Sequence, residues 1–175
     1  VLGVCCGLAA ASMGVMINSY GAFYTPVAES LGVMKGAFTL HVTIGSLVAS
    51  FLALSIGKLL YKVKNFKIIF IFGAGISALA TLGFSVANNL WMFYILGFIR
   101  GLGVNFIAMI PLTIIIGNWF KKSHGLATSI VMSFSGIAGA IGTPLFTSLI
   151  ISSGWQNAYR VMAILIIVLC LPAIL

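Results

Sequence analysis

The sequence predicts an all-α, polytopic membrane protein, one bundle of six transmembrane helices over residues 1–175, and three observations predict it. Of 175 residues, 62% are hydrophobic and 6% charged, whereas soluble domains carry about a quarter charged residues. Six apolar runs follow one another, each near the roughly 20 residues that cross a bilayer. Each run is also about twice the length of a barrel strand and lacks its alternation, so its backbone polar groups must be satisfied within a helix.

The runs fall at about residues 1–24, 36–57, 68–87, 91–117, 125–151 and 159–175, separated by short turns rich in Gly, Asn, Ser and Lys. The chain begins at Val1 without a charged leader, which reads as a first span cut short rather than a cleaved signal peptide. The connection after the second run carries Lys58, Lys62, Lys64 and Lys67, and the one after the fourth adds Lys121 and Lys122; the opposite side has Lys35 and Arg160. The positive-inside tendency puts the lysine-rich turns, and both ends of the six-helix unit, in the cytoplasm of a cell-membrane protein. Trp91, Trp119 and Trp155 stand at span ends, where an amphipathic ring prefers the headgroup zone. Helices 1 to 3 then start inside and helices 4 to 6 outside, which suggests a 3+3 inverted repeat. Ile56-Gly57 echoed by Ile141-Gly142 is its faint trace in sequence.

Composition also excludes functions. The net charge of +8 comes from nine basic residues against one acid, too sparse to tile a phosphate-tracking face, so no nucleic-acid partner is expected. Cys5, Cys6 and Cys170 lie inside apolar runs without disulfide or zinc spacing. Glu29 is the one carboxylate side chain in the sequence. Paired-carboxylate, metal-hydrolase and Ser/His/Asp mechanisms therefore lack their parts, and neither enzyme activity, metal nor cofactor is expected.

Arg100 lies about ten positions into the fourth run, near mid-bilayer at roughly 1.5 Å per residue. A charge there is costly and faces a cavity or a partner. It either caps carbonyls at a helix bend, pairs with a carboxylate outside this unit, or contacts an anionic substrate. Gly97 and Gly101 form a G-x-x-x-G spacing, and Gly136, Gly139, Gly142 and Pro144 make the fifth run rich in small residues, both suited to close helix contact. His41 reads as a structural histidine near the outer end of the second run, and His124, beside Lys121 and Lys122, as a solvated one.

The stretch Asn118-Trp119-Phe120-Lys121-Lys122-Ser123-His124-Gly125-Leu126-Ala127, with the glycines of the fifth run, Pro144 and Gly154-Trp155, resembles the major facilitator superfamily. It looks most like the oxalate/formate antiporter and monocarboxylate porter branch, and the likeness covers the whole chain as an amino-terminal half. Tyr24-Thr25-Pro26-Val27 with Leu31-Gly32 resembles the same branch. The resemblance implies a secondary transporter working by alternating access, a carboxyl-terminal bundle missing from this chain, a lipid bilayer around it and a small carboxylate as substrate. It also implies that Asn18 faces the central cavity and contacts substrate. Tyr20 and Tyr24 follow nearby, and Asn105 shares Asn18's choice between substrate and an interhelical bond.

Departures accompany the likeness. The superfamily's loop signature reads Gly57-Lys58-Leu59-Leu60-Tyr61-Lys62-Val63-Lys64-Asn65-Phe66-Lys67 here, with Tyr61 in place of the aspartate. These lysines set topology and touch anionic headgroups, with gating as the reading the resemblance adds. Arg100 sits one turn later than the superfamily's helix 4 arginine. Two alternatives stay open: a porter for neutral or lipophilic compounds, and a non-transporting channel or assembly subunit.

Overall fold

The computed structural model describes residues 1–62 and 66–174, the side chains of 58–62 and 66 excepted. Lys64 and Asn65 of the loop signature, and the side chains of Lys58, Tyr61 and Lys62, therefore lie outside the described residues. All elements among the described residues are helical.

Helix α1 (Leu2–Ala9) runs directly into a π-helical segment (Ala10–Asn18), and helix α2 (Gly21–Ser30) follows at a bend of 42°. Short polar residues build this bend. The Ser12 hydroxyl donates to Leu8 O at 2.7 Å, and the hydroxyl and backbone N–H of Ser19 both reach Gly14 O at 3.1 Å. The ladder widens to i→i+5 and then stops, because Tyr20 N turns to Ile17 O at 3.3 Å.

Helices α3 (Lys35–Lys62), α4 (Phe66–Phe84), α5 (Leu90–Asn105), α6 (Met109–Trp119) and α7 (His124–Ile174) follow. Stretches within α3, α4, α5 with α6, and α7 are long and apolar enough to cross a membrane, and the bent pair at the start supplies a further one. The run expected over 91–117 is interrupted: the Asn105 side chain donates back to Gly101 O at 2.9 Å as α5 ends, and α6 begins four residues later, at Met109.

Within α7, Gly154 has φ 82° and ψ 159°, a conformation open in practice to glycine alone. Neighbours along α1 and α2 show that the chain reverses there. Position 14 lies against Ser135 and Ala138, and Phe23 against Phe146, whereas Tyr159 lies against Phe23 and Leu169 against position 7. The first arm of α7 thus runs along the amino-terminal helix and the second runs back. The sequence placed a turn over 152–158; the structure needs one glycine.

Helices α3 and α5 pack in parallel, with Tyr94 Oη donating to Ala37 O at 2.8 Å at one end of the contact. A Cβ at Gly97 would stand 2.5 Å from His41 O, and one at Gly101 the same distance from Gly45 O, so bare backbone is what lets the helices meet. Gly139 and Gly142 do the same for the first arm of α7 against Asn18 and Ser19. Gly136 and Pro144, by contrast, are exposed, and a Cβ at Gly136 would meet nothing within 4 Å among the described residues.

Fully buried rings of Phe23, Phe38, Phe84, Phe93, Phe146 and Tyr159 fill the centre, while Phe51, Leu54, Leu79 and Ile151 point outward, as hydrocarbon-facing side chains do. Trp91 and Trp119 are exposed at helix ends as expected. Trp155 is not an interfacial anchor: it is buried against Phe93 and Tyr159, because the tight reversal at Gly154 turns it inward.

Candidate functional site

A cavity of about 180 Å³ opens where the bend after the π segment faces the α3/α5 contact. Met16, Ile17, Tyr20 and Tyr24 line it from the amino-terminal helix, His41, Val42, Gly45, Ser46 and Ala49 from α3, and Gly97, Arg100, Gly101 and Val104 from α5. The three glycines among them are the positions at which α3 and α5 meet backbone to backbone.

Arg100 is held from two directions. One Nη donates to the Met16 carbonyl beside the point where the helical ladder breaks. Its Cζ lies 4.1 Å from the centroid of the Tyr20 ring, a cation–π contact. Its Nε is buried and finds no hydrogen-bond partner among the described residues. Glu29, in the last turn of α2, is exposed and not on the cavity wall.

The Tyr20 ring is 2% exposed, and its hydroxyl lies 3.1 Å from Nε2 of His41 and accepts from Tyr159 Oη at 3.3 Å. His41 is buried among Phe38, Phe84 and Phe93, with Nδ1 bonded to the Phe38 carbonyl.

Of the residues singled out in the sequence, Arg100 and Tyr20 meet at this cavity, and Tyr24 and His41 join them. Asn18 does not line it: its Nδ2 donates to Ser135 O at 3.2 Å, against the first arm of α7. Asn18 is exposed, whereas Asn105 is buried, its amide bonded within its own helix turn. Gly57 lies near the end of α3, Lys67 is exposed in the first turn of α4, and Lys121 and Lys122 are exposed between α6 and α7, all away from the cavity wall. Sequence reasoning did not single out Gly45 or Tyr159. Gly45 had a signal in its four-residue spacing to Ala49, small residues matching Gly97 and Gly101; Tyr159 had none beyond its place one turn after Trp155.

Apolar helices that pass repeatedly through the bundle, bent at polar residues around a cavity with a half-buried cation, define a multi-pass membrane protein of the transporter kind. The family follows from comparison: the Major Facilitator Superfamily model matches residues 4–175, and the chain belongs to that superfamily of transporters. No curated protein matches the chain.

Proposed function

We propose that the protein is a secondary active transporter that moves a small organic anion, a mono- or dicarboxylate, by alternating access, with Arg100 as the group that receives the anion. The observation that carries this reading is the buried Arg100 Nε, without an acceptor among the described residues, on the wall of a cavity that no acidic side chain lines. A buried donor without a partner is costly, and a carboxylate would satisfy it with a charge-assisted bond. The volume of about 180 Å³ suits a small solute, being below the ~300–1,000 Å³ typical of sites for drug-sized ligands.

The reading extends to architecture. The chain would be a six-crossing amino-terminal half with 3+3 inverted repeats, its lysine-rich connections in the cytoplasm, and the substrate held between it and a second bundle. With no acid on the cavity wall, coupling in this half would be anion exchange or anion-linked symport.

A neutral or lipophilic substrate is the second reading, favoured by the mainly apolar cavity lining and by the Arg100 Nη already given to Met16. Counterflow in liposomes separates the two. Labelled carboxylates should exchange in wild type and fail to exchange in Arg100→Gln. Exchange of neutral solutes only, or carboxylate exchange indifferent to the substitution, would overturn the anion reading.

A further inference from the structure

Four side chains from four places in the fold form one connected unit beside the cavity. The Phe38 carbonyl only accepts, so Nδ1 of His41 must carry the proton that bonds it. In the neutral ring Nε2 is then an acceptor, and the Tyr20 hydroxyl, 3.1 Å away, donates to it. That leaves the Tyr20 oxygen free to accept from Tyr159 Oη at 3.3 Å. The bond order is therefore fixed along its length: Tyr159 to Tyr20 to His41 to the α3 backbone. Tyr20 sits at the bend, His41 on α3 and Tyr159 on the second arm of α7, so the phenol is pinned from two sides. Arg100 lies over the face of the ring so pinned.

We infer that His41 and Tyr159 are positioning residues for Arg100, acting through the Tyr20 ring; the inference rests on the reading of Arg100 as the anion-receiving group. A guanidinium is planar, and its stacking on an aromatic face depends on where that face points. Tyr20 can turn about its side-chain torsions only by giving up both hydroxyl bonds. With them made, the ring holds the guanidinium plane above it in one orientation. With either lost, the ring and the cation above it sample others, and the anion meets a site that must be ordered on binding.

The test uses the complete protein labelled with ¹⁵N-arginine in lipid nanodiscs, with the Arg100 Nε resonance assigned by its absence in Arg100→Lys. Tyr159→Phe and His41→Leu are expected to shift that resonance. In transport they should raise KM about threefold to tenfold, the range one ordinary hydrogen bond is worth, and leave the maximal rate within about twofold. His41→Gln keeps an acceptor for Tyr20 and should recover the wild-type KM, and Tyr159→Phe should have no further effect on KM once Arg100 is Lys. If Tyr159→Phe does not fold, Tyr20→Phe, which keeps the ring and drops the hydroxyl, carries the same expectation. An Arg100 resonance unmoved by these variants, or an equal KM effect with lysine at position 100, would overturn the inference. A shifted resonance in a protein that exchanges no carboxylate would sink the anion reading and leave the positioning standing.

Discussion

Tyr159 donates its hydroxyl to that of Tyr20 at 3.3 Å, joining positions 139 apart in sequence at the bend of the amino-terminal helix. Phe23 stacks on the same Tyr159 ring at 4.2 Å between centroids. The wall of the cavity on which Arg100 rests is thus continuous with the aromatic centre of the bundle, and substitutions on either side of that wall separate its uses.

The first concerns the shape of the cation. Lysine at position 100 keeps the charge but neither stacks flat on Tyr20 nor offers a fork to a carboxylate. On the anion reading, Arg100→Lys should lower carboxylate exchange about tenfold, roughly 1.4 kcal/mol, where Arg100→Gln should abolish it. Arg160→Gln, at an exposed arginine bonded to Asn157, should leave it unchanged. Equal rates in Arg100→Lys and wild type would show that only charge matters.

The α3/α5 contact tolerates no side chain. A Cβ at position 101 would lie 2.5 Å from Gly45 O, a backbone atom that cannot swing away. Gly101→Val should destabilise the bundle by about 1–3 kcal/mol, seen as a lower midpoint of thermal unfolding in detergent. Gly136→Ala, into open space, is the matched control and should leave the midpoint unchanged or slightly raised. A Gly101→Val protein as stable as wild type would mean that the helices do not meet as closely as the glycines permit.

Gly154 holds a positive φ at the reversal of α7. Alanine there should cost about 1–3 kcal/mol in backbone strain, again read from thermal unfolding, whereas alanine at Gly75, where a Cβ meets nothing within 4 Å among the described residues, should not destabilise. A neutral Gly154→Ala would argue for a different turn between the arms.

Chemical accessibility reads the cavity directly. Cys5, Cys6 and Cys170 are buried and should resist a charged, water-soluble thiosulfonate reagent in the folded protein. A cysteine placed at Ser46 or Ala49, both on the cavity wall, should react with it, and transported carboxylate should slow that reaction. Labelling of the native cysteines at the rate of Ser46→Cys would remove the cavity as a solvent path.

Much of this fold was legible because hydrocarbon imposes a simple rule: long apolar runs become helices, and breaks show as small or polar residues. What the apolar count could not show was where a helix bends without ending. Ser12, Gly14 and Ser19 reroute bonds within one apolar run, and Asn105 closes a turn in the middle of another. Arg100 stood out because an intramembrane charge has few uses, and it does line the cavity. Asn18 and Asn105 left a choice between substrate and an interhelical bond, and in the structure their amides donate to the carbonyls of Ser135 and Gly101. Trp155 misled for a related reason: a ring at a span end faces headgroups only if the turn beside it has length to spare.

The single-glycine reversal in α7 also bears on how the protein is made. With a single non-helical residue between them, the two arms leave little chain that could wait on one side of a membrane while the first arm settles. They are expected to be inserted together, as a preformed helical hairpin whose bend is crowned by the exposed Ser152, Ser153, Gln156 and Asn157. A hydrophilic epitope placed after Ser153 would uncouple that joint delivery. A glycosylation-site scan of nascent chains, comparing chains released after the first arm with chains that include both, would show whether the first arm reaches its membrane position alone or only in company.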